Sequence, residues 1–144
     1  MNGPKLSQRG GVYYQHAYRI YYEDTDLGGV VYYANYLKFM ERCRTDWLWA
    51  MQVDQQRLIA ERALQFVVIS VSVDFLRPAR LHDEIIVTAT LDRMGGATIQ
   101  FKQTIMRGDE QLIDATVRVA CLDAKTLKPR PIPKDLFPEW RNAQ

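Results

Sequence analysis

The sequence is poor in the residues that would mark a metal centre, a disulfide framework or a membrane span. Its 144 residues include two cysteines, Cys43 and Cys121, and two histidines, His16 and His82, none at ligand spacing from another. That argues against zinc and for free, buried thiols suited to a reducing compartment. No run of about 18 uncharged apolar residues occurs, so no membrane-integral helix is expected. Lys5 and Arg9 are not followed by the apolar stretch of an export signal, so a cytoplasmic location is the expectation. An excess of one charge is missing too. With 19 Lys and Arg against 17 Asp and Glu, dispersed along the chain, a net charge of +2 argues against nucleic acid as a partner. Internal repeats and low-complexity segments are absent.

What is there is the balance of one globular domain, 47% hydrophobic and 25% charged. A chain of this length buries roughly two thirds of its unfolded surface, enough for a core without staples. Residues 1–15 hold Gly3, Pro4, Gly10 and Gly11 among polar neighbours and read as a mobile arm. The domain proper is expected over 16–134, with a proline-bearing tail at 135–144. Ala17 to Tyr22 is β-like. From Asn35 to Met51 apolar residues recur at steps of three and four (Tyr36, Met40, Cys43, Trp47, Ala50), the pattern of a long amphipathic helix. Asp54 suits the N-cap of a short helix running to Glu61. Val67, Ile69, Val71, Val73 and Phe75 then alternate with their neighbours as in a strand that stops at Pro78. Three further strands follow at Glu84–Arg93, Ala97–Arg107 and Gln111–Asp123, joined at Gly95-Gly96 and Gly108-Asp109. One bulky helix and one antiparallel sheet make an α+β layer, the sheet wrapping the helix. Phe39, Trp47 and Trp49 widen the helix's apolar face enough to suggest a second copy against it.

The chemistry concentrates between Tyr22 and Tyr36, where Glu23, Asp24, Asp26, Gly28, Gly29 and a helix start fall close together. The glycines let the backbone bend sharply and let a ligand approach it. A helix start near Tyr33 offers unpaired N–H donors to a developing oxyanion. A carboxylate beside an oxyanion site is what acyl hydrolysis requires.

Arg19-Ile20, Thr25-Asp26, Gly29-Val30-Val31 and Tyr33-Ala34-Asn35-Tyr36 resemble, in spacing and residue type, the signature of the 4-hydroxybenzoyl-CoA thioesterase family of hot dog folds. Glu41-Arg42-Cys43-Arg44-Thr45, Arg77-Pro78-Ala79-Arg80-Leu81 and Lys128-Pro129-Arg130 are similar to its YbgC branch, associated with the bacterial Tol-Pal system. The resemblance implies a hot dog fold, an antiparallel sheet of about five strands around a long central helix. It also implies subunits joined edge to edge, homodimers pairing into homotetramers, and active sites at the dimer interface. It makes Asp26 the catalytic carboxylate, as nucleophile or as general base, and the Tyr33 N–H the oxyanion donor. Many members of the branch carry histidine where this chain has Tyr33, a difference that touches mechanism rather than reaction class.

Gly28, Gly29, Tyr32, Tyr36 and Glu41 are the expected substrate contacts, with Glu41 as a reserve catalyst or a structural hydrogen-bonder. Tyr21, Tyr22, Tyr32, Tyr33 and Tyr36 either line an acyl or aryl pocket or pack in core and interface. Arg77, Arg80, Lys128 and Arg130 are candidates for the phosphates of CoA. Asp24 reads as a loop acid facing solvent, His16 as a surface residue before the first strand, and His82 as a surface residue in a turn. The expected partner is an acyl-CoA, with acyl carrier protein as another thioester source and no cofactor beyond the substrate's own CoA. A non-catalytic acyl-carrier or membrane-assembly adaptor is the alternative. A dehydratase fits poorly, because that chemistry pairs histidine with carboxylate and the Asp26 loop has no histidine.

Overall fold

The computed structural model describes residues 5–6, 12–142 and 144, with side-chain surroundings from Tyr14 onward. Its strands are β1 (Lys5–Leu6), β2 (Val12–Arg19), β3 (Leu64–Phe75), β4 (Glu84–Met94), β5 (Thr98–Arg107) and β6 (Glu110–Asp123). Its helices are α1 (Tyr33–Ala50), α2 (Gln55–Arg62) and α3 (Pro138–Asn142). The strands form one antiparallel sheet in the order β1-β2-β4-β5-β6-β3.

Alternation decides which face of the sheet is buried. Ile85, Val87, Ala89 and Leu91 on β4, and Ile99, Phe101 and Ile105 on β5, point to the inner face. α1 lies across that face and buries Tyr36, Phe39, Met40, Cys43 and Trp47. Trp47 meets Phe101 edge-on, with ring centroids 5.3 Å apart. Register shifts between Leu91 and Arg93, between Ile105 and Met106, and between Val68 and Ser70 add local twist and help the sheet curl around the helix. This is the hot dog fold that the sequence led us to expect.

Three expectations are corrected. The first long strand starts at Val12, inside the segment expected to be a mobile arm, and Tyr14 is fully buried. His16 therefore sits within β2 and not before it. It shares the inner face with Tyr14 and Tyr18, its ring centroid 4.5 Å from that of Tyr18. The segment 135–144 is no free tail, because Leu136 and Phe137 are buried and Trp140 Nε1 donates to the Leu91 carbonyl at 2.8 Å. Pro129, Pro131 and Pro133 before the segment and Pro138 within it limit the backbone there without releasing it from the core.

α1 leaves β3 uncovered. Val68, Val71 and Phe75 stay about half exposed at 46%, 44% and 52%, so a trough runs between the flank of α1 and the sheet edge.

Candidate active site

The loop from Tyr22 to Tyr32 is stitched to the start of α1 by its backbone. Asp24 carbonyl accepts from Tyr32 N–H at 3.3 Å and from Asn35 Nδ2 at 2.8 Å, which sets the loop beside the first helical turn. Asp24 carboxylate itself is engaged, its Oδ2 accepting from Tyr21 N–H at 2.9 Å. Asp24 is thus a loop brace and not a free surface acid. Thr25 bridges to Val31 and Asp26 N–H donates to Val30 carbonyl at 2.9 Å, closing a tight turn with Asp26 at its mouth.

Asp26 is exposed, and its Oδ1 accepts from Gly28 N–H at 2.8 Å. Among the described residues nothing else engages the carboxylate, so Oδ2 is left for a ligand. Both glycines are explained by this turn. A Cβ on Gly28 would stand 3.3 Å from Asp26 Oδ1, whereas Gly29 has open space but φ of +75°, the left-handed region. Val31 N–H then donates to Ala79 carbonyl at 2.9 Å and Val30 bridges to Arg80, tying the turn to the segment before β4. That segment is held by Asp83, which accepts from Arg80 N–H at 2.8 Å and from Arg107 Nη1 at 2.7 Å. Burial alone would raise the Asp83 pKa, but its bonds to Arg107 and to Arg80 N–H outweigh burial and hold it below the usual carboxylate range.

α1 begins without a side-chain cap, because Tyr32 at the N-cap position has no oxygen within reach of the next amides. Asn35 N–H donates to Tyr32 carbonyl at 2.8 Å, whereas Tyr33 N–H has no acceptor among the described residues, and the helix dipole concentrates partial positive charge there. Beside them lies a groove of about 270 Å³ lined by Val31, Tyr33, Tyr36, Phe75, Leu76, Arg77 and Pro78. An uncapped helix start, an apolar groove and a held carboxylate are together able to bind a carbonyl and hydrolyse it.

The other expected site residues divide. Tyr36 is buried, its hydroxyl oxygen accepts from Ala79 N–H at 2.9 Å, and its ring lines the groove with its centroid 5.8 Å from that of Phe75. Tyr32 and Tyr33 are exposed with ring centroids 4.6 Å apart. Glu41 is two helical turns from Tyr33 and accepts from Thr45 Oγ1 at 2.9 Å, outside the groove at the start of α1. Arg77 borders that groove, while Arg80 is exposed on the segment bridged to Val30. Lys128 and Arg130 lie at the far end of β6, where Arg130 Nη1 donates to Arg62 carbonyl at 3.0 Å. Within one chain the four basic residues therefore form two separate pairs. Asn35 and Asp83, which brace the loop from either side, were not singled out from the sequence. Asn35 left a faint signal there, as a poor helix former in a first turn.

The thioesterase superfamily matches residues 28–113. The chain is 46% identical over 118 residues to an acyl-CoA thioesterase YbgC of Haemophilus influenzae, covering 82% of this chain and 87% of that one. The chain belongs to the thioesterase superfamily. It is 42% identical over 124 residues to an acyl-CoA thioester hydrolase YbgC of Escherichia coli O6:H1, covering 85% of this chain and 92% of the relative. Among solved structures, a probable thioesterase from Bartonella henselae superposes with a TM-score of 0.79 at 32% identity, covering 84% of this chain and 99% of that one. A member of this family with this loop is an enzyme that hydrolyses thioesters.

Proposed function

We propose that the protein hydrolyses acyl-CoA thioesters to free acid and CoA, with Asp26 as the working carboxylate and the Tyr33 N–H as oxyanion donor. The observation that carries this reading is Asp26 fixed by Gly28 N–H in a turn laced to the uncapped start of α1. A thioester carbonyl seated over Tyr33 has its oxygen polarised by the N–H and by the helix dipole. Asp26 Oδ2 then takes a proton from water as the water oxygen bonds to the carbonyl carbon. The alternative is that Oδ2 itself forms that bond and water cleaves the resulting anhydride. Either way the C–S bond breaks, CoA leaves as thiolate and is protonated, and no cofactor enters. Single turnover in ¹⁸O-water identifies attack by Asp26 when label enters the Asp26 carboxylate, the result of water opening the anhydride at the Asp26 carbonyl. The Tyr33 side chain takes no part in either route, which fits its replacing a histidine found in many relatives of this branch.

The site completes itself in a dimer. β3 presents an unpaired edge with Val68, Ile69, Val71 and Phe75 all about half exposed, a surface that calls for a second strand. Antiparallel pairing of two β3 edges about a two-fold axis puts the Leu64 end of one subunit against the Phe75 end of the other. Lys128 and Arg130 of one chain then approach Arg77 and Arg80 of its mate, reuniting the two basic pairs around one CoA. Pairing of dimers into tetramers, a cytoplasmic site of action close to the Tol-Pal apparatus, and acyl carrier protein as a second thioester source extend the same reading. Thiol release from a panel of acyl-CoAs tests the reaction, and sedimentation tests the dimer. Absence of turnover on every acyl-CoA offered overturns the reaction.

A further inference from the structure

A second cavity, of about 100 Å³, opens further along the trough between α1 and the sheet. Leu48, Phe66, Val68 and Phe101 give it apolar walls, and Arg44 lines it together with Glu41 and Thr45. The hydrolytic chemistry at Asp26 makes no use of this arginine. Its guanidinium is partly buried, and among the described residues no carboxylate lies within ion-pair distance of it. Burial pulls it below its ordinary pKa, and the Glu41 charge nearby offsets that only in part. The Glu41 carboxylate is itself engaged by Thr45.

Arg44 is held from behind. Its Nη1 donates to Gln103 Oε1 at 2.9 Å. Gln103 is fully buried, and its Nε2 donates to the Met40 carbonyl at 3.1 Å and the Thr88 carbonyl at 3.2 Å. With its amide nitrogen committed to two carbonyls, Gln103 can present only oxygen to Arg44. A guanidinium carries five N–H donors, and Gln103 satisfies one. The rest are not sealed in the core, where the unpartnered polar atoms are the Tyr14 and Tyr18 hydroxyls and Trp47 Nε1. The remaining donors have no protein partner among the described residues, and their side chain lines the open cavity.

We propose that this cavity receives the far end of the acyl group and that Arg44 selects chains ending in a carboxylate, the monothioesters of dicarboxylic acids. The proposal rests on thioester hydrolysis at the Asp26 loop. Tyr33 and Arg44 are separated along α1 by roughly 16 Å at about 1.5 Å per residue. An extended chain of about twelve carbons, advancing about 1.25 Å per bond, covers roughly 14 Å, and a hydrogen bond of about 3 Å to Arg44 closes the rest. Half-exposed Leu37 on α1 and Val71 on β3, at 41% and 44%, offer it apolar rails between the two ends. A carboxylate arriving at the cavity supplies the charge and the paired acceptors that Arg44 lacks.

The test compares kcat/KM for dodecanedioyl-CoA, 12-hydroxydodecanoyl-CoA and dodecanoyl-CoA on the full-length protein, each measured for wild type, Arg44→Met and Arg44→Lys. Wild type is expected to favour the carboxylate-ended chain over the methyl-ended one by at least tenfold, with the hydroxyl-ended chain between them. Arg44→Met brings that ratio to one or below while turnover of dodecanoyl-CoA stays within about threefold. Arg44→Lys, which keeps the cation and most of the stem, gives an intermediate ratio and serves if the Met variant does not fold. Preference of the wild type for the methyl-ended chain, or a ratio unmoved in either variant, overturns the selection by Arg44 and leaves the hydrolase standing. Failure to cleave any of the three overturns instead the hydrolytic reading beneath it.

Discussion

Replacing Gln103 by leucine removes a fully buried side chain that joins helix, sheet and Arg44 through three hydrogen bonds of 2.9, 3.1 and 3.2 Å. Leucine has nearly the same volume, so no large cavity opens and the loss is polar. Met40 carbonyl lies within α1 and Thr88 carbonyl within β4, so each keeps its main-chain surroundings and loses only a second donor. Arg44 loses its only hydrogen bond to protein among the described residues, the costliest of the three because the donor is charged and partly buried. Bonds to charged groups are worth about 1.5–3 kcal/mol and neutral ones about 0.5–1.5 kcal/mol. Greater apolar burial by leucine returns about 1 kcal/mol. The expected net loss is about 2–4 kcal/mol. With an m-value of about 1–3 kcal/mol/M, that moves the urea midpoint down by roughly 1–2 M at fixed protein concentration. A variant within about 0.5 kcal/mol of wild type, its m-value unchanged, refutes the reasoning that Gln103 is a structural hub.

Further expectations concern the loop and its supports. Gly28→Ala should leave melting nearly unchanged but lower kcat, because its Cβ crowds Asp26 Oδ1 at 3.3 Å. Gly29→Ala, strained at φ +75° with open space around it, should instead cost about 1–2 kcal/mol in denaturant melts. Ala63 closes α2 at φ +51°, so Ala63→Gly should stabilise by about 0.5–1 kcal/mol, read as a higher melting temperature. Asp83 has a depressed folded pKa, so its contribution is present above its unfolded value near about 4 and fades as pH falls through the lower folded value. Asp83→Asn should therefore cost about 1–2 kcal/mol at neutral pH and flatten the acid limb of the stability profile measured by urea titration.

Local periodicity carried far where one face of an element meets the core. The three-and-four spacing of α1 and the strict alternation Ile85, Val87, Ala89, Leu91 were readable because burial there is continuous. β3 shows the limit. Val67, Ile69 and Val71 look like one face in sequence, but the register shift between Val68 and Ser70 inserts a residue and changes the parity. Val68 and Val71 consequently pair with buried Val119 and Val117 and share the inner face, while Val67 does not. Alternation also cannot tell whether anything covers a face, and β3 is left half exposed. Tyr14 hid in a segment whose flanking glycines suggested an arm, because its partner strand β4 is remote in sequence. For the site, residue pattern found a carboxylate-rich turn and family spacing ranked Asp26 within it. The bonds from Asn35 to Asp24, from Arg107 to Asp83, and from Gln103 to Arg44 and Met40 join residues 11 to 63 positions apart, and no local pattern reports such contacts.

The proposed hydrolysis depends on Asp26 and not on the helix carboxylate Glu41. The direct measurement is kcat for thiol release from one good acyl-CoA substrate by Asp26→Asn and Glu41→Gln, with the melting temperature of each recorded beside it. Asp26→Asn is predicted to lose about a hundredfold or more with unchanged melting, since its exposed side chain supports only one short hydrogen bond to Gly28. Glu41→Gln is predicted to stay within a few-fold of wild type. Full activity in Asp26→Asn, or collapse of activity in a well-folded Glu41→Gln, contradicts the account.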